Sequence, residues 1–150
     1  MAMQKISVGA LLALIVAGVF LSLVASGALV AYQKVQNTGI VTAVGVGVYS
    51  NSACTSKVSS IDWGSLTPSS TVSKTIYIRN EGNKRLSLSM TTGNWNPQSA
   101  SNYITLTWNR GGAVLEVGQV VQATLTLSVS PSISGVTSFS FEITITGTEY

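Results

Sequence analysis

Five carboxylates are available for chemistry in this chain of 150 residues, Asp62, Glu81, Glu116, Glu142 and Glu149, and no histidine accompanies them. General acid–base catalysis needs a proton donor and acceptor within reach of one substrate atom, and a metal centre needs three or four converging ligands. The acids stand apart in sequence, so neither a metal cluster nor a Ser/His/Asp relay has its usual parts. A hydrolase would require strands to bring two of these acids together. Cys54 is the single cysteine, which excludes an internal disulfide. Its thiol reads as a small side chain near a strand end, with an intermolecular bridge as the other use. The stretch GVGVYS at residues 45–50 begins like a phosphate loop but lacks the third glycine and a following helix, and reads instead as small residues at a close strand approach. Trp63, Trp95 and Trp108 could form a carbohydrate platform. Trp108, however, alternates into a candidate core and the other two flank turns, so packing is their expected role. The reading is of a protein that is not an enzyme, with no catalytic residue, cofactor or metal.

Composition narrows the partners. Charged residues make up 9% of the chain, against about 25% in an average soluble protein. Ser and Thr stand where Lys and Glu would normally keep a surface wet. The net charge of +3 comes from scattered cations, with no run longer than Lys84-Arg85, and so provides no focused field for a nucleic acid. Without histidine, a switch between about pH 5 and 8 is not expected. No Asn-x-Ser/Thr triplet occurs, which removes the usual N-glycan acceptor, while O-linked glycans on the Ser/Thr faces remain open.

Two regimes divide the chain. Residues 6–33 carry no charge, and as a helix the apolar run to about Lys34 would be roughly 40 Å long, enough to cross a bilayer. After Asn37-Thr38-Gly39 the apolar residues begin to alternate, the period of a strand exposed on one side. Ile76/Ile78, Leu86/Leu88, Ile104/Leu106/Trp108, Leu125/Leu127 and Phe139/Phe141/Ile143/Ile145 form candidate core rows, separated by the breaks NEGN, NWNPQ, RGG and SPSISG. One-sided strands must press their apolar sides together. The expected fold class is a long N-terminal hydrophobic α-helix (residues 1–38) followed by an all-β immunoglobulin-like sandwich of about seven or eight antiparallel strands (residues 39–150).

The leading segment has two further features. As a secretory signal it would offer MAMQK as charged end and Ala25-Ser26-Gly27 as cleavage site, but the apolar run exceeds the usual length and continues past the cut. Small residues also recur every four positions, Gly9, Ala13 and Ala17 in one row and Gly18, Ser22 and Ser26 in another, which points to helix–helix assembly. The charged leader, apolar run and Ser/Thr-rich sandwich together resemble an archaeal type IV pilin, related in plan to archaeal flagellins. That resemblance implies a helix held in the membrane before assembly and then bundled in the core of a filament sheathed by immunoglobulin-like domains. The family's leader is cut before Gly or Ala, whereas Lys5 here precedes Ile6, and the glutamate found near the start of mature bacterial pilins is absent. The run IDWGSLTPSSTVSKTIYIRNEGNKRLSLSM, with AYQKVQNTG ahead of it, is also similar to camelysin-like biofilm fibre proteins. Those lose a signal and polymerise by donating an N-terminal strand.

The function expected from these features is a structural subunit of an extracellular cell-surface filament. It would be a helical homopolymer whose partner is itself, inserted in the membrane before assembly, without nucleic acid, and with a role in adhesion. The alternatives are a signal-cleaved fibre protein that polymerises by strand donation, with a mature start near Ala28 to Ala31, and a monomeric membrane-anchored binding domain.

Overall fold

The computed structural model describes residues 37–150. The alternating segments become strands: β1 Thr38–Val44, β2 Gly47–Tyr49, β3 Ser60–Asp62, β4 Thr71–Arg79, β5 Leu86–Asn96, β6 Ile104–Trp108, β7 Val114–Leu115, β8 Val120–Val129 and β9 Ser140–Glu149, with a 3-10 turn at Gln98–Asn102 ahead of β6. They form a five-stranded sheet, β3-β1-β9-β5-β7, and a four-stranded sheet, β2-β4-β8-β6.

Strand period sets the core. In β8 Ala123, Leu125, Leu127 and Val129 are buried, and in β9 Phe141, Ile143 and Ile145 are buried, each alternating with a more exposed polar neighbour. Ile76, Ile78, Leu86, Leu88, Ile104 and Phe139 join the same cluster, while Leu106 and Trp108 on the edge strand β6 are half-buried against it. Residues whose alternation is shorter also enter the core. Trp63, two positions beyond Ile61, is only 2% exposed. Trp95 stacks on Phe141 with centroids 4.2 Å apart and planes 4° from parallel, and closes one end of the core.

The expected fold class is corrected. The described residues contain no α-helix, and no helix among them is long and apolar enough to cross a membrane. The segment expected to be a long N-terminal helix lies outside the described residues. Apolar length reports hydrophobicity, but it carries neither a one-sided 3.6-residue stripe nor capping residues, which are what specify a helix. Nor are the strands all antiparallel. β1 runs parallel to β9 from Thr38↔Ser140 to Val44↔Thr146, and antiparallel to β3 only over Thr38–Ile40. The short strands β2, β3 and β7 span too few residues to show a period. NWNPQ is not wholly a turn either, because β5 continues to Asn96 through a register shift between Gly93 and Asn96.

Glycine decides two close approaches. Gly45 has φ +73°, and a Cβ there would lie 2.7 Å from the Gly147 carbonyl oxygen; a Cβ on Gly47 would lie 2.6 Å from Glu81 Oε1. The stretch at residues 45–50 is therefore a packing feature of the β1–β2 corner.

Truncating the centre of β8 by Leu127→Ala should destabilise the protein by about 2–5 kcal/mol, whereas Thr105→Ala on the exposed face of β6 should stay within about 0.5 kcal/mol. Denaturant titration of the two variants would show this, and equal losses would contradict the assignment of faces.

Candidate assembly and surface sites

The outward positions of the four-stranded sheet are occupied by hydroxyls in register. Thr71 pairs with Ser128 and Ser128 with Thr105; Ser73 pairs with Thr126 and Thr126 with Thr107; Thr75 pairs with Thr124. Neighbouring ranks are about 4.8 Å apart across strands and about 6.7 Å along them. Ser73 and Thr126 share a hydrogen bond at 3.2 Å, and Thr107 Oγ1 donates to the Thr126 carbonyl at 3.4 Å. Asn109 extends the face by accepting the Thr124 amide proton at 2.9 Å. The five-stranded sheet is dressed similarly: Thr42, Thr144 and Thr91 form one rank, and Thr146 and Ser89 stand beside Val44 in the next. Such a surface is hydrated by neutral donors and acceptors, which neither titrate in the ordinary range nor respond to salt as charges do.

Each carboxylate is engaged by a different partner. Asp62 Oδ1 accepts the Gly64 amide at 2.8 Å and shapes a turn. Glu142 accepts from Thr42 Oγ1 at 3.1 Å and from Asn94 Nδ2 at 2.7 Å on the outer face. Glu149 pairs with Lys84 and Glu116 with Arg85, both at 2.9 Å and well exposed, so solvent screens both pairs and neither holds the fold together. Glu81 accepts the Tyr49 hydroxyl. Four of these contacts anchor turns and strand ends, and Glu142 ties β1 and β5 together across the outer face of β9. Among the described residues, no group of three or more His, Cys, Asp or Glu could hold a metal ion. Cys54 is a free, half-buried thiol with φ 55° in the turn after β2. Of the tryptophans, Trp63 is enclosed and Trp95 and Trp108 are half-buried against the core.

The start of β1 is held by one side chain. Asn37 is 5% exposed; its Nδ2 donates to the Gly64 carbonyl at 2.9 Å, its Oδ1 accepts the Phe139 amide proton at 3.3 Å, and its carbonyl accepts from Trp63 N at 2.8 Å. A buried amide satisfied on both ends fixes where the chain enters the sandwich. Asn80 does the same at the opposite corner: it is 1% exposed, donates to the Lys84 and Leu115 carbonyls at 2.7 and 3.2 Å, and accepts from Gly82 N at 3.0 Å. Sequence reading missed both asparagines, because each stands beside a turn where Asn is ordinary.

No family model matches the chain, and no curated protein matches it in sequence. The assembly residues expected from sequence, Gly9, Ala13, Ala17, Gly18, Ser22 and Ser26, lie outside the described residues. The candidate core residues are placed together as described above.

The Tyr49 phenol is held above its ordinary value of 10.0, chiefly by its hydrogen bond to Glu81, then by burial and the nearby negative charge. Because the folded value exceeds the unfolded one, Tyr49 contributes stability that is complete below about pH 10 and is lost as the pH rises through the folded value. Tyrosinate absorbance should show this residue ionising later than a free tyrosine, and Tyr49→Phe should remove that part of the alkaline loss. An unchanged alkaline profile in Tyr49→Phe would contradict the assignment.

Proposed function

We propose that the chain is a structural subunit of an extracellular cell-surface filament of pilin-like plan, with the sandwich as its coat. The observation that supports this reading best is the pair of outer faces clad in registered Ser and Thr, joined in one chain to the uncharged residues 6–33. An uncharged stretch of that length cannot remain in water. A bilayer accommodates it before assembly, and copies of the same stretch shield it afterwards. At about 25 cal/mol per Å2 of apolar surface, its removal from water is worth tens of kcal/mol per subunit before ordering costs. The coat then needs solubility without dependence on charge, which hydroxyl ranks provide. They also offer acceptors for O-linked glycans and a hydrogen-bonding face for adhesion.

A second reading, polymerisation by strand donation, is favoured by the position of β1. It follows the apolar run directly, and its one extended partner is β9, since β3 covers only three of its residues. Exchanging β1 for the same strand of another copy would reproduce every ladder bond.

Electron microscopy of native surface material should show long fibres that persist at about pH 2 and in high salt, because few ion pairs are available to protonate or screen. Leu21→Lys should stop their growth by placing a charge within the apolar run. Small detergent-dependent particles would support a tethered monomer and overturn the filament reading. A mature N-terminus near Ala28 would transfer assembly to strand donation.

A further inference from the structure

The four-stranded sheet has two open edges among the described residues, and they differ. Along β4, β2 covers only Tyr77–Arg79, leaving Thr71–Ile76 unpaired on that side. Lys74 stands there in the inward phase of Ile76 and Ile78 but is exposed, and an inward charge on an edge opposes pairing with another chain. The β6 edge has no such guard: its sequence, ITLTW, contains no charge and no proline.

Hydrogen-bond phase shows what this edge presents. Ser130 N donates to the Tyr103 carbonyl at 2.7 Å, and the β6–β8 register continues from Ile104↔Val129 to Trp108↔Leu125. Antiparallel bonding alternates, so Thr105 and Thr107 bond to β8, while the backbone groups of Ile104, Leu106 and Trp108 point the other way. Ile104 is already enclosed, but Leu106 and Trp108 are only half-buried. The core is thus left incomplete beside two residues whose backbone groups face outward.

We propose that β6 pairs antiparallel with β6 of a second copy, about a two-fold axis through Thr107. In that register Leu106 lies opposite Trp108 of the second copy, and Trp108 opposite its Leu106. These two pairs exchange four backbone hydrogen bonds, and their inward side chains close the open end of both cores. Thr107 faces its counterpart on the outer surface, and no like charges meet. A second copy fits better than an unrelated peptide because the edge is its own complement: neutral, apolar inward, hydroxyl outward and symmetric about the same residue. A two-fold contact closes on itself, so it joins chains in pairs rather than extending a polymer. Within a filament it would bind neighbouring filaments side by side, with many weak contacts acting together. The pairing itself does not depend on the filament reading.

The test uses the full chain in a Cys54→Ser background. Thr107 and its counterpart form a non-hydrogen-bonded pair with Cα atoms about 4.5 Å apart, within disulfide range. Thr107→Cys should therefore give a disulfide-linked dimer as the main product of mild oxidation, while Thr75→Cys, an outward position on β4, should not. In detergent that holds residues 6–33 apart, Thr107→Lys, on an exposed side chain, should abolish the dimer seen by sedimentation while leaving the melting temperature unchanged. The proposal is overturned if Thr107→Cys cross-links no more than Thr75→Cys, or if Thr107→Lys associates as before. Cross-linked pairs from material that never forms fibres would keep this pairing and end the filament reading.

Discussion

The fold depends on the burial of alternate residues from two long strands, β8 in one sheet and β9 in the other. Their inward rows, Leu125, Leu127 and Val129 with Phe141, Ile143 and Ile145, are withdrawn from water. The remaining strands dock onto this pair: β4 and β6 flank β8, and β1 and β5 flank β9. Period two makes the arrangement stringent. A slip of one residue in β9 would expose its aromatic and aliphatic row and bury Glu142, Thr144 and Thr146.

The same constraint produces the surface. Once one face of each strand is committed to the core, the intervening residues must face solvent, and here they are overwhelmingly Ser and Thr. The hydroxyl ranks and the core are two aspects of one alternation. Where the alternation lapses, single polar side chains take over. Asn80 fastens the corner at which the chain changes sheet, and Asn37 ties the start of β1 to Gly64 and Phe139, each satisfying backbone groups that would otherwise be left without partners. The protein's few charges act at its margins, as the Lys84–Glu149 and Arg85–Glu116 pairs illustrate.

The edges are the remaining degree of freedom. A sandwich does not close on itself as a barrel does, so each edge must be shortened, guarded or paired. β2, β3 and β7 are two or three residues long, and β4 carries Lys74 in an inward position. β6 has neither device, and with Leu106 and Trp108 beside its open backbone it is the point at which this unit is least complete by itself.

The sequence by itself determined the β class of residues 39–150, the facing of the long strands and the hydroxyl character of the exterior, because a period of two in side-chain polarity is a local property that needs no knowledge of neighbours. It did not determine that β1 lies parallel to β9, that Trp63 is enclosed, that β5 runs on through Asn96, or that Lys74 guards an edge while β6 lies bare. Those matters belong to the tertiary structure: which strand lies beside which, and which edge is left over, is settled by how the whole set of apolar rows is buried at once, and that pairing energy is spread over contacts far apart in the chain.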